Sequence, residues 1–420
     1  MATEVESPGR IAPEEQETGC GTRFVARQPI MDMHGRVHGY ELLFRDGSES
    51  AFRGDGEAAT LTMIDNAVLF GLGRLTSGLP AFVNCTADTL QGNLVHLLPA
   101  GMTVLEILET VGPVPVLIRA CRRLKACGYR LALDDFTWKP GMEPLVEIAD
   151  YIKVDFAILN HPERQRLLDH LRGVTVALVA EKVETQEQFA EAHSEGFTLV
   201  QGFYFCRPKL LKNRGMPANR MSQLEILHLL QDDAIDLRRL TGLVKRDASI
   251  TYRLLRLINS PVCAMRQEVR SVQAALIAVG ELTFRRLATL AISSELNAGQ
   301  PQEVLRMAFV RARFCELAAG FAALDNREQY LLGLLSLLPV MLQLPMKDLA
   351  PSLPLREEIC RALLDEPVQE RCFLEWLEGH ERGDWEACDA VVREHMLRPE
   401  SLQHCYEEAL VWAEAALHFS

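Results

Sequence analysis

No run of about 18 apolar residues occurs anywhere in this 420-residue chain, so nothing in it reads as a membrane-spanning helix. Its most apolar stretch, Tyr330 to Leu344, is short and interrupted by Pro339, and reads as a buried helix. The opening MATEVESPGRIAPEEQETGCG has acidic and polar residues but no apolar core, so it does not read as a secretory signal, and a cytoplasmic location is expected. Eleven cysteines are present, yet no CxxC pair and no zinc-like Cys/His spacing; reduced, buried thiols are the expectation. A local basic patch is missing as well. The net charge is -13, and the densest cationic cluster (Lys209, Lys212, Arg214, Arg220) falls in an apparent linker, which argues against a nucleic-acid partner. No internal repeat is visible.

What is present divides into two grammars. A chain of this length exceeds one ordinary core, so two domains are expected. Residues 1–21 read as a disordered tail, 22–210 as the first domain, 211–221 as a linker and 222–420 as the second domain. In the first, β-rich runs alternate with amphipathic ones. Candidate strands are Arg23–Pro29, Val37–Phe44, Ala81–Asn84, Thr103–Leu108, Arg130–Phe136, Tyr151–Asp155, Thr175–Lys182 and Thr198–Phe205. This alternation predicts a parallel sheet, open or closed into a TIM-like α/β barrel. Beyond Met221 the strands vanish. Apolar residues then recur at helical spacing through Leu224–Leu230, Leu237–Val244, Ile250–Ile258, Val272–Val279 and Leu305–Ala319, so the second domain is expected to be all-α.

The informative feature of the first domain is where its polar residues fall. Nearly every candidate strand ends in a carboxylate or amide: Glu41, Asn84, Glu106, Asp134 with Asp135, Asp155, Glu181 and Gln201. A buried, unpaired carboxylate is costly, so apolar strands that end this way need a reason. A barrel of parallel strands brings such ends to one face, where these barrels carry their chemistry. Hard oxygen ligands suit magnesium or manganese, and two such ions activate water in phosphodiester hydrolysis. Any one of these acids could be a helix cap or a surface charge; the whole series is poorly explained that way.

In chain order, YELLFR, AFVNCT, LEILE, LALDDF, IKVDF, AEKVET and VQGFYFCRP resemble the motif series of EAL domains, the cyclic di-GMP phosphodiesterases. With VARQPIMD at Val25–Asp32, they resemble most the subgroup in which an EAL-like domain precedes an HDOD domain. The resemblance implies that Glu41, Asn84, Glu106 and Asp134 hold one metal, and that Asp135, helped by Asp155 and Glu181, serves a second. It implies that Lys153 and Glu181 position or deprotonate water, that Arg45 reaches the ligand and that Gln201 closes the site. Glu109 and Glu184 would support the loops. It further implies cyclic di-GMP as partner and a homodimer as assembly.

Two departures stand out. Members of the family follow DDF with a glycine-rich loop, where this chain has Thr137-Trp138-Lys139-Pro140-Gly141-Met142. They read AEGVE where this chain reads AEKVE, so Lys182 either neutralises carboxylates in a metal's place or points into the barrel wall. The site is therefore expected to be degenerate: a regulator that binds nucleotide or partner, with an active phosphodiesterase and a nucleotide-free scaffold as alternatives.

Asp247–Gly280 resembles the HDOD domain, a relative of metal-dependent HD phosphohydrolases. The helix that would carry the metal-binding His-Asp pair reads GLLSLLPVMLQL, with Ser336 and Leu337 in its place. His380, His395 and His404 lie in polar contexts. The second domain is expected to be non-catalytic, an output or scaffold for an unidentified signalling protein.

Overall fold

The structure, a computed structural model, describes residues 23–46, 71–206, 218–231, 237–259, 269–353 and 355–417. The expected tail and most of the expected linker lie outside these residues; Ala218 to Met221, also assigned to the linker, already belong to a helix. Eight strands close into a barrel in sequence order: β1 (Arg23–Asp32), β2 (Val37–Asp46), β3 (Ala81–Cys85), β4 (Thr103–Ile107), β5 (Arg130–Leu133), β6 (Tyr151–Asp155), β7 (Ala177–Glu181) and β8 (Leu199–Gln201).

The sheet is not parallel throughout. β1 runs antiparallel to both of its neighbours, β2 and β8, while the remaining pairs are parallel. The reason is local. Only Met33–Arg36 separate β1 from β2, too few residues for a crossover. Asp32 builds the turn by accepting from the His34 and Arg36 N–H groups, each at 2.9 Å. Gly35 supplies the positive φ of 78° that the turn requires.

Side chains alternate across each strand, and the barrel interior follows that period. Ile30, Phe82, Val104, Ala132, Tyr151, Val179 and Leu199 form one buried apolar layer. Two residues further along the chain from six of these stand Asn84, Glu106, Asp134, Lys153, Glu181 and Gln201, Asp134 just past the end of β5 and the others on their strands. Pleating alone thus stacks a polar ring on an apolar plug.

Helices of seven or more residues are numbered α1 to α14. The barrel carries α1 (Pro115–Ala126), α2 (His161–His170) and α3 (Gln186–Ser194). The second half carries α4 (Ala218–Leu229), α5 (Leu237–Arg246), α6 (Ala248–Ile258), α7 (Val272–Val279), α8 (Glu281–Leu296), α9 (Gln302–Ala318) and α10 (Asn326–Leu335). There follow α11 (Glu357–Leu363), α12 (Cys372–Arg382), α13 (Trp385–Glu394) and α14 (Pro399–Leu417). Asn259 ends α6 and ties it to the chain entering α7. Its amide donates to the Val269 carbonyl at 2.8 Å and accepts from the Val269 N–H at 2.7 Å. The apolar stretch expected as one buried helix is two, because α10 stops at Leu335 and Pro339 starts a short second piece at Leu338–Leu342.

Where an HD-type pair would stand, Ser336 accepts from the buried Arg311 guanidinium at 3.1 Å. Arg311 also donates to Glu381 at 3.1 and 2.6 Å and to Glu378 at 3.4 Å. Burial alone would lower the Arg311 pKa, but these carboxylates more than offset it and keep the charge fixed. The close approach depends on Gly333: a Cβ there would meet the Arg311 carbonyl oxygen at 2.3 Å.

The two halves are docked. On the outer face of β2, the Tyr40 hydroxyl donates to Glu303 of α9 at 3.0 Å. Further along the strand, Arg45 grips Asp389 of α13 through two bonds of 2.9 and 2.7 Å. Leu43 fills the space beside Gly383, between α12 and α13.

His380 corrects the sequence reading. Its neighbours in sequence are polar, yet it is fully buried, stacked on Trp376 with centroids 4.8 Å apart and bonded to Gln403 at 3.1 Å. Burial pushes its pKa down to about 4. The unfolded chain therefore binds a proton near pH 6.5 that the folded chain refuses until about pH 4, and stability falls as pH drops through that window. The loss amounts to about 3 kcal/mol. In melting curves from pH 7 to 4.5, His380→Gln should show a smaller drop in Tm than the parent; an equal drop would remove His380 as the cause.

Candidate functional site

The polar ring is organised by one ammonium group. Lys153 is fully buried, and its Nζ lies 3.0 Å from Glu41, 2.7 Å from Glu106, 2.8 Å from Asp134 and 2.8 Å from Glu181. Glu41 is further held by Asn84, which donates at 3.1 Å, and by Gln201, which donates at 2.6 Å. Gln201 also donates to Gln28 at 2.7 Å. Gln28 was missed in the sequence reading, although it sits inside the VARQPIMD phrase and two residues before the Ile30 of the apolar layer.

Four carboxylates share one cation, so the ring carries excess acid. Burial, set against the Lys153 charge, raises Glu181 to about 8. Burial and neighbouring carboxylates likewise raise Glu106 and Asp134. Glu41 goes the other way: burial opposes it, but Lys153, Gln201 and Asn84 stabilise its charge more strongly. Lys153 itself is driven upward despite burial, by Glu106 first among its partners, and stays an ammonium.

A second cation lies nearer the surface. Asp155 accepts from the Ala157 and Ile158 N–H groups at 2.6 and 3.1 Å and is paired directly with Lys182. Lys182 Nζ is also 3.9 Å from Asp135. Of the two orientations open to this lysine, the structure takes the one that neutralises carboxylates. Lys182 and Asp135 both adopt positive φ, 53° and 40°. For a lysine, that backbone conformation costs about 1 kcal/mol, and a glycine would adopt it freely.

Asp134 and Asp135 lie past the end of β5, which stops at Leu133, three residues short of the expected Phe136. Together with Glu109, Thr137 and Lys139 they line a cavity of about 280 Å³ between the loops that follow β4 and β5. Trp138 is turned out of it, stacked on His170 of α2 with centroids 4.5 Å apart. Lys139 is a further cation at this cavity that the sequence reading did not single out. Glu109 is exposed and makes no hydrogen bond to the loop among the described residues. Glu184 is exposed too, and its N–H donates to Gln188 at 2.8 Å.

Arg45 does not face the ring. Its guanidinium is held by Asp389 and lies 6.0 Å from the centre of the Trp385 ring, so the helical half occupies the group expected to reach a ligand. The cause is a partner 344 residues away in sequence, which no local motif announces.

The remaining expected ligands fit a hard cation in part. Asn84 Oδ1, Glu106 Oε2, Glu181 Oε2 and Gln201 Oε1 are buried acceptors with no hydrogen-bond partner among the described residues. Such oxygens are expensive unless something positive satisfies them. The oxygens do not close on one point, however, because they surround Lys153. Among the described residues, the three-membered acid or imidazole group within 4.8 Å is His161, Glu191 and Glu195, outside the barrel and already bound by Arg164.

Comparison with known proteins agrees with this architecture. The EAL domain family matches residues 84–208 and the HDOD domain family residues 216–349. A Bacillus subtilis (strain 168) protein, "Uncharacterized protein YuxH", is 32% identical over 400 residues, covering 93% of this chain and 97% of its own length. "Cyclic di-GMP phosphodiesterase CdgJ" of Vibrio cholerae is 30% identical over 403 residues, covering 94% of this chain and 93% of its own. Among solved structures, the "PaMucR Phosphodiesterase, c-di-GMP complex" aligns at 22% identity and a TM-score of 0.38, covering 48% of this chain and 99% of that one. Among the described residues, no helix is long and apolar enough to cross a membrane. The chain thus belongs to the EAL–HDOD family, with an EAL domain of the cyclic di-GMP phosphodiesterase kind followed by an HDOD domain.

Proposed function

We propose that this protein is a cyclic di-GMP-responsive regulator of the cytoplasm whose barrel binds the nucleotide with little or no turnover, and whose helical half is a non-catalytic output for a signalling partner. One observation carries the reading: the Lys182 ammonium lies against Asp155 and near Asp135, the acids that a second divalent cation would need. The buried, unpartnered oxygens of Glu106 and Asn84, with Glu41 and Asp134, support a first site for magnesium or manganese. When bound, such a cation would polarise a phosphate oxygen and acidify water. Glu181, raised to about 8 by burial, is mostly protonated at neutral pH and could accept a proton from water only after losing its own. Lys153 holds Glu41, Glu106, Asp134 and Glu181 in one constellation, and Gln201 and Asn84 fix the Glu41 carboxylate. The chain thus retains its deep ring and puts a fixed positive charge at the outer one.

The second reading, an active phosphodiesterase giving linear pGpG, is favoured by the relative from Vibrio cholerae and by the deep ring itself. Calorimetric titration with cyclic di-GMP in calcium, followed by product analysis in magnesium, separates them. Saturable binding without pGpG is the expected result. Linear product that is lost in Glu41→Ala would establish the enzyme, and no binding at millimolar nucleotide would leave a scaffold.

Two substitutions test the parts. Lys182→Gly removes the competing charge and suits the positive φ, so manganese affinity should rise about tenfold, roughly 1.4 kcal/mol. An unchanged affinity, read by manganese paramagnetic resonance, would show that this lysine does not compete. Asp389→Asn releases Arg45 and should tighten cyclic di-GMP binding several-fold; equal or weaker binding would mean that Arg45 has no part in holding the nucleotide.

A further inference from the structure

A cavity in the helical half stands apart from the barrel. It has a volume of about 430 Å³ and lies between α8, α9, α10 and α14, with Leu230 and Gln231 at its edge. That size falls within the range of small-molecule pockets, roughly 300–1,000 Å³.

Its wall is aromatic. Trp412 meets Tyr330 edge-on at 6.4 Å between centroids and Phe309 edge-on at 5.9 Å, so three rings from three helices border one space. A flat guest would find both faces and edges to contact.

Its charged groups are nearly all cations. Arg285, Arg286, Arg313 and Arg327 line it, against a single lining carboxylate, Glu316. Arg285 is bound to Glu281 and the Leu230 carbonyl, and Arg313 to Glu316 and Glu408. Two groups stay open. Arg286 is exposed and has no carboxylate partner among the described residues, although its charge is felt at Tyr330. The Tyr330 ring is buried against Trp412 and lines the cavity, and its hydroxyl makes no hydrogen bond among the described residues without being fully enclosed. The buried Nε of Arg313 is likewise without an acceptor. In a chain of net charge -13, a pocket lined by four arginines and one carboxylate runs against the general charge. Surplus donors of this kind are satisfied by an anion.

We propose that this cavity binds a small aromatic anion, a planar ring system carrying one carboxylate, sulfonate or phosphate. The rings of Trp412, Tyr330 and Phe309 receive the planar body, and Arg286 with the Tyr330 hydroxyl receives the anionic group. This site is independent of the nucleotide reading of the barrel. Its position is apt for an input, because α9 lines the cavity with Phe309 and Arg313 and touches the barrel with Glu303 at its other end.

The test uses the full chain and two matched probes, 1-naphthoate and its uncharged counterpart 1-naphthamide, titrated by calorimetry. Naphthoate should saturate one site per chain and bind at least about tenfold more tightly than naphthamide. Arg286→Gln and Tyr330→Phe should each weaken naphthoate binding several-fold while leaving the melting curve in place, since the first is a surface change and the second keeps the ring. Three results would overturn the proposal: no saturation by naphthoate up to its solubility limit, equal affinity for the two probes, or parent-like affinity in both variants.

Discussion

The buried ammonium of Lys153 is the interaction on which the first half depends. Four carboxylates cannot be placed within a few ångströms of one another in an apolar barrel unless something positive stands among them. Lys153 meets that need with contacts of 2.7 to 3.0 Å to all four. Its removal would leave four buried carboxylates without their shared cation, so Lys153 is a condition of the fold. The price of this arrangement is visible in the raised pKa values of Glu106, Asp134 and Glu181, acids kept more protonated than water would keep them.

The same device appears three times at different depths. Lys153 stands in the deep ring, Lys182 at its outer rim and Arg311 in the helical half beside Ser336. Each is a side-chain cation among carboxylates. Lys153 holds the deep ring, and Lys182 stands against Asp155 and near Asp135 where the family pattern has a glycine. Arg311 donates to the Ser336 that takes the place of an HD-type pair. A lysine or arginine differs from a metal ion in being tethered: it cannot be lost, exchanged or shared with a phosphate on the same terms. At the outer rim, where Lys182 stands between Asp155 and Asp135, that fixed charge is what supports the proposed reading of binding over turnover. The docking of the halves fits that picture, since Tyr40 and Arg45 on the strand that carries Glu41 are both held by residues of the helical half, Glu303 and Asp389.

Much of this was legible in the sequence. Strand ends carrying Asn84, Glu106, Lys153 and Glu181 are spaced by pleating, and pleating is what brings them together; a period of two needs no tertiary knowledge. The antiparallel β1 was also readable in principle, because the short DMHGRV turn leaves no room for a crossover. His380 could have been found on helical grounds, four residues after Trp376 and so on the same face, but its polar neighbours in sequence masked that. Other features were beyond reach. The direction taken by Lys182 is set by a left-handed backbone and by Asp155, 27 residues away, and the capture of Arg45 by Asp389 depends on how two domains dock. Motif order reveals which residues share a ring, while long-range pairing decides which charges that ring still has to offer.

The most direct test of the account is the number of manganese ions held per chain, measured by elemental analysis at equilibrium with saturating cyclic di-GMP. A fixed ammonium at the Asp135–Asp155 position predicts no more than one tightly held ion. Two ions per chain at micromolar manganese would contradict it, because Lys182 would then have yielded its place to metal.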